Sequence, residues 1–139
     1  MTDTAARDIE SIRRTLALYC QLCDDGRFDE WADLYAGEAT FTVMGRTYAG
    51  PAEIQGFIQK GQPPELRGKH VCANSLIDVD SDGAHASART DYIFVGRTDE
   101  GLAITSAGRY HDTLVRDGDR WLFESRQIVF LGDDQPLPG

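Results

Sequence analysis

Apolar positions recur every three or four residues in the first stretch of the chain, at Ile9, Ile12, Leu16, Tyr19, Cys20 and Cys23. Arg7, Glu10, Arg13 and Arg14 fill the opposite side. That period predicts an amphipathic helix. Thr2, Asp3 and Thr4 are the available N-caps, and Asp24-Asp25-Gly26 supplies a stop, glycine suiting a left-handed cap. Phe28, Trp31, Leu34 and Tyr35 predict a second, shorter helix that makes a helical hairpin with the first. The texture of 39–44 (Ala-Thr-Phe-Thr-Val-Met) is strand-like, and Gly45 turns it into the short run Arg46-Thr47-Tyr48. Gly50-Pro51 opens a third helix with Ile54, Phe57 and Ile58 as its buried stripe. Gln59 to Lys69 holds two glycines and Pro63-Pro64, and reads as a mobile loop and a candidate lid.

Beyond His70 the period changes to long strands over 71–79, 84–97, 102–116 and 120–130. Turns at Asp80-Ser81-Asp82-Gly83, Thr98-Asp99-Glu100-Gly101 and Asp117-Gly118-Asp119 separate them. Helices first and a four-strand meander second predict an α+β domain covering 1–139. Strands this long must twist and curl, and a curled sheet wrapped on helices makes a cone with a central pocket.

Composition narrows the uses of such a pocket. The chain has 139 residues, 41% of them hydrophobic, enough for one core. Its net charge of −9 repels phosphate backbones, which argues against nucleic acid. No apolar run suits a membrane span and the first residues lack a secretion signal, so the cytoplasm is the expected compartment. The three cysteines, Cys20, Cys23 and Cys72, are expected as reduced thiols. Cys20-x-x-Cys23 continues the helical stripe, which favours packing over ligation or redox work. His70, His85 and His111 are scattered, without the carboxylate spacing of a metal cage. With no glycine-rich phosphate loop either, neither metal nor cofactor is expected.

The order of these elements and their punctuation resemble the nuclear transport factor 2-like superfamily, in its SnoaL-like and scytalone dehydratase-like branch. The resemblance rests on Tyr19-x4-Asp24-x-Gly26, Trp31-x2-Leu34-Tyr35, Ala39-Thr40-Phe41 and Gly50-x2-Glu53-Ile54-x2-Phe57. His70-x3-Asn74, Gly108-Arg109-Tyr110-x-Asp112 and Gly118-x2-Trp121 complete it, over about residues 6 to 130. It implies a bent antiparallel sheet around a helical hairpin and a third helix. It also implies a homodimer or higher homo-oligomer.

The resemblance further implies an Asp24–His70 dyad. A carboxylate accepting the proton of one imidazole nitrogen fixes the tautomer and leaves the other nitrogen basic. Tyr19 matches an oxyanion-binding tyrosine, and Asp112 a protonated aspartic acid of a steroid-isomerase oxyanion hole. Alternation along the strand puts Tyr110 and Asp112 on one face and His111 on the other. Val43 stands where the isomerase base would be, which argues against ketosteroid isomerisation. No second histidine matches that of scytalone dehydratase; Asp91 is a possible substitute of uncertain register, and Arg126 reads as a surface residue.

Phe41, Val43, Tyr48, Phe57 and Tyr92 are available to line the chamber, with Cys72 and Asn74 on the face of His70. The expected activity is a cofactor-free lyase of the dehydratase type, acting beside the carbonyl of a small hydrophobic polyketide-, steroid- or aromatic-like molecule. An isomerase or cyclase on similar substrates, or a non-catalytic ligand-binding domain, is the alternative.

Overall fold

Thr2 caps the first helix: its hydroxyl accepts from the Ala5 amide at 3.1 Å in the computed structural model, which describes residues 2–133. Helix α1 (Asp3–Asp24) buries Ile12, Leu16, Tyr19, Cys20 and Cys23, the stripe that the period predicts. Gly26, at φ 72°, then lets the Gly26 and Arg27 amides donate to the Cys23 and Leu22 carbonyls, a Schellman close.

Helix α2 is short, Phe28–Ala32, because the chain turns at Leu34 and enters strand β1 at Tyr35. The second helix was expected to run through Tyr35 and the strand to start near Ala39. The apolar run there serves both elements, and pairing of Tyr35 with Phe123 claims it for the sheet. Strand β1 (Tyr35–Val43) turns through Met44 and Gly45, both at positive φ, into β2 (Arg46–Ala49). Helix α3 (Pro51–Gly61) follows, then a single 3₁₀ turn (Pro64–Leu66).

The long strands are β3 (Lys69–Val79), β4 (His85–Thr98), β5 (Gly101–Asp117) and β6 (Arg120–Phe130). They join β1 and β2 in one six-stranded, unclosed sheet of order β2-β1-β6-β5-β4-β3. All neighbours are antiparallel except β1 and β6, a parallel pair that a reading of local turns does not anticipate. α1 lies across the concave face. Asp8 receives Arg116 Nη2 at 2.6 Å, and the Thr15 hydroxyl donates to the Trp121 carbonyl at 2.7 Å. No helix among the described residues is long and apolar enough to cross a membrane.

Two of the sheet's register slips decide which way the candidate site residues face. Between Ala73 and Leu76 the β3–β4 register slips by one residue, with Asn74 at φ 55°. Asparagine tolerates this left-handed conformation better than a branched residue would. Burial along β3 changes phase there: Ile77 and Val79 are inward on one side of the bulge, His70 and Cys72 on the other. A second slip, between Thr113 and Leu114, leaves Glu124 unpaired and sets Arg126 opposite Asp112.

Candidate active site

His70 stands at the start of β3, and the bulge at Asn74 turns it toward the end of α1. Its Nδ1 lies 2.6 Å from Asp24 Oδ1, while its own backbone amide donates to Asp24 Oδ2 at 2.9 Å. Both side chains are nearly enclosed, at 9% exposure for His70 and 3% for Asp24. A carboxylate can only accept, so Nδ1 carries the proton and Nε2 is the nitrogen free to take one. The amide contact fixes the carboxylate against rotation, so one aspartate positions both ends of the same residue. α1 does not fray at its end to achieve this; it is helical through Asp24.

Glycine makes the approach possible at Gly68 and closes the corner after α1 at Gly26, whose φ is 72°. A Cβ at Gly68 would collide with the Val95 carbonyl, so only glycine brings the chain into β3 here. A Cβ at Gly26 would meet the Arg67 guanidinium, which lies over the corner after Asp24. Arg67 also stacks on Phe28 at 5.4 Å and donates to the Gln62 carbonyl at 3.1 Å. The loop expected as a lid therefore packs on the α1–α2 corner.

Around His70 the walls are aromatic. Phe94 lies across β4 at 4.7 Å between ring centroids, and Tyr19 edge-on at 6.1 Å. Burial pushes the Tyr19 phenol well above its ordinary value, with Arg126 only partly opposing it. Burial thus favours the protonated, donating form of Tyr19.

Behind Tyr19 sits a group the sequence reading put on the surface. Arg126 is 1% exposed and grips Asp112 with Nε–Oδ1 at 2.7 Å and Nη2–Oδ2 at 2.8 Å. Its guanidinium carbon is 4.2, 3.8 and 4.4 Å from the ring centroids of Tyr19, Tyr110 and Phe123. Desolvated contacts of this kind are each worth about 2 kcal/mol. Burial raises the Asp112 carboxyl above its ordinary value and Arg126 opposes that rise. The carboxylate in turn holds Arg126 protonated. Asp112 does face inward, with His111 on the other face, as alternation requires. The expectation that Asp112 donates to a substrate oxyanion is corrected: both its oxygens accept from Arg126, so it is that cation's counterion.

The expected chamber wall divides. Phe41 is fully buried among Trp31, Tyr35 and Phe57, and belongs to the core rather than to a ligand surface. Tyr48 stacks on Phe57 at 4.3 Å beneath α3, and Val43 is buried at the end of β1. Asn74 leaves the inner face at the bulge. Its side chain approaches Asp91, whose carboxyl is held below its ordinary value mainly by Arg109. Asp91 is therefore an outer-face ion pair, 2.6 Å from Arg109 Nε, and not a substitute for a second histidine. Ser75, bonded to Thr90 at 3.0 Å, takes the inward place. Cys72 keeps its expected face, with its sulfur 3.1 Å from that of Cys20. The hydrogen bond shared by the two sulfurs lowers the Cys72 thiol and raises that of Cys20, while burial pushes Cys23 up to about 12.

Tyr92 stacks on Tyr110 at 4.6 Å, binds Ser106 through its hydroxyl at 2.9 Å, and borders a cavity of 390 Å³ with Gly108, Val129 and Phe130. Neither Asp24 nor His70 lines that cavity. The interior between α1 and the sheet is packed by Tyr19, Trp31, Tyr110, Phe123 and Arg126, so the protein's own side chains fill most of the expected wide central chamber. Phe94 was legible by alternation from Tyr92. Arg126 was not, because a bulge hides its direction.

A cone of this kind, with helices on the concave face of a curled six-stranded sheet, is the nuclear transport factor 2-like fold. The chain belongs to the SnoaL-like domain family, whose model matches residues 4–127. Among solved structures it is similar to a candidate scytalone dehydratase from Novosphingobium aromaticivorans, with a TM-score of 0.83 at 22% identity, covering 99% of this chain and 94% of that one. An NTF2-like protein with a cystatin-like fold from the same organism gives 0.83 at 21% identity, over 94% and 86% of the two chains. A Catenulispora acidiphila protein in complex with S-DNPA gives 0.76 at 22% identity, over 88% and 92%. A comparison with curated proteins found no match.

Proposed function

We propose that this protein is a cofactor-independent lyase of the dehydratase type, acting beside the carbonyl of a small hydrophobic molecule. One observation carries the reading: the 2.6 Å contact between Asp24 and the Nδ1 of an almost enclosed His70. Asp24 holds the tautomer, and Nε2 removes the proton α to the carbonyl. The electron pair moves into the carbonyl as an enolate, whose oxygen takes a hydrogen bond from Tyr19. The buried Arg126 cation against the Tyr19 ring favours negative charge on that side. Collapse of the enolate expels a β-hydroxyl as water, with the proton returned from the imidazolium. If the substrate carries no β-hydroxyl, the same residues give double-bond migration or ring closure. The candidate scytalone dehydratase and the neighbour holding a small organic ligand support a substrate of this class.

Deuterium exchange tests the reading without knowledge of the natural substrate. In heavy water, the protein is expected to speed exchange of the α-protons of bicyclic aromatic ketones, followed by NMR. A panel of β-hydroxy analogues should also lose water. Failure of exchange across the panel, with the ketones bound, would leave a ligand-binding domain.

The same proposal includes a homodimer joined through the outer sheet face. Val71, Leu76, Leu102 and Ile104 are exposed apolar residues of β3 and β5. Sedimentation equilibrium is expected to give twice the chain mass, and Leu76→Lys with Ile104→Lys to give a monomer.

A further inference from the structure

The geometry points to a redox site distinct from the proposed acid–base pair: a hydroperoxide oxidises Cys20 and Cys72 to an intramolecular disulfide that ties α1 to β3, while Cys23 stays a thiol.

Sequence spacing directs attention to Cys20-x-x-Cys23, but the fold pairs Cys20 with a cysteine 52 residues away, at an Sγ–Sγ distance of 3.1 Å. Closing to the bonded length of about 2.05 Å needs a shift of roughly 1 Å, which two side chains supply by small torsional changes. The two sulfurs come from separate elements and meet because the bulge at Asn74 aims Cys72 inward together with His70. Cys23 is fully enclosed. Cys72 is the less buried member of the pair, so it is the sulfur that an oxidant reaches first. The hydrogen bond that it shares with Cys20 also lowers the Cys72 thiol.

The chemistry balances with hydrogen peroxide. The Cys72 thiolate attacks one peroxide oxygen; an S–O bond forms, the O–O bond breaks, and the departing hydroxide takes up the proton released from the thiol. Cys72 becomes a sulfenic acid, oxidised by two electrons. The Cys20 sulfur then attacks Cys72, the S–S bond forms, the S–O bond breaks, and hydroxide leaves with the Cys20 proton as water. Two thiols and one peroxide yield one disulfide and two waters. Attack needs the second sulfur adjacent and deprotonated; Cys20 is already adjacent, and the departing hydroxide takes its proton.

The bond would lie two residues from His70 and four from Asp24, locking the two elements that bring those groups together. Closing so long a loop is expected to raise the melting temperature by on the order of 10 °C.

The test uses the purified full chain, treated with hydrogen peroxide or with dithiothreitol. Each sample is then unfolded and alkylated, and the peptides are mapped by mass spectrometry. The expected result is a Cys20–Cys72 linked peptide lighter by two hydrogens, an alkylated Cys23, and the rise in melting temperature. Cys20→Ser and Cys72→Ser should each abolish the linked peptide and the thermal shift. Three alkylatable thiols after oxidation, a Cys20–Cys23 link, or over-oxidation of a single cysteine would each overturn the inference. Should a serine variant fail to fold, peptide mapping of the unaltered chain decides alone. None of these readouts depends on catalysis, so the acid–base reading and this one fail separately.

Discussion

His70→Gln is expected to slow deuterium exchange into a bound ketone by about 10²- to 10⁴-fold, the range a positioned general base contributes. Affinity for the ketone should change little, because glutamine fills similar space and keeps a polar end. A fall in kcat with KM retained marks a group acting in the transition state rather than in binding. Asp24→Asn should follow in the same direction. An amide offers Nδ1 an oxygen or an NH2 group, so the tautomer is no longer dictated and a fraction of the imidazole presents the wrong nitrogen. The backbone contact from His70 to the residue at position 24 can survive in the asparagine variant, which keeps the fold comparison fair. Exchange that continues at the parental rate in His70→Gln would remove this histidine from the mechanism.

Arg126→Met is expected to destabilise the protein by about 3–5 kcal/mol, read from the urea midpoint at constant slope. The variant strands the Asp112 carboxylate, which has two charge-assisted hydrogen bonds to Arg126 and is buried with it. It also removes the cation from between Tyr19, Tyr110 and Phe123. Total stabilities of such domains lie near 5–15 kcal/mol, so a loss of this size is a large share of the whole. Adding Asp112→Leu should restore most of it, because a desolvated ion pair replaced by apolar groups of similar volume is close to neutral. A single Arg126→Met variant within about 1 kcal/mol of the parent would show that the pair contributes little beyond filling space. Recovery of stability in the double variant without recovery of exchange would separate the charge's part in the core from its part beside Tyr19.

The elements themselves were legible where one local rule operated alone. α1 follows from a 3.6-residue period with a threonine cap and a glycine stop, and it ends at the carboxylate that meets His70. β6 follows from its flanking turns, and its bounds agree with Arg120–Phe130. The passage from α2 into β1 was less legible. Trp31, Leu34 and Tyr35 satisfy a helical stripe locally, but the sheet uses Tyr35 as a strand residue beside Phe123.

Direction, rather than identity, was beyond reach. Counting back from the Asp80–Gly83 turn by strict alternation aims His70 outward, and the resemblance alone argued for the opposite. Asn74 absorbs one residue, reverses the phase, and brings His70 and Cys72 to the concave face. The same arithmetic at Glu124 carried Arg126 from an outward position to the centre of the molecule, where it took Asp112 out of the oxyanion role. A strand's own residues set a period of two, and any one-residue slip exchanges its faces. Whether the slip occurs depends on how neighbouring strands twist to close over α1, an energy shared among residues far apart in the chain. Residue chemistry and the order of helices and strands were therefore written locally. The meeting of Asp24 with His70, of Arg126 with Asp112, and of Cys20 with Cys72 came from packing that no local stretch encodes.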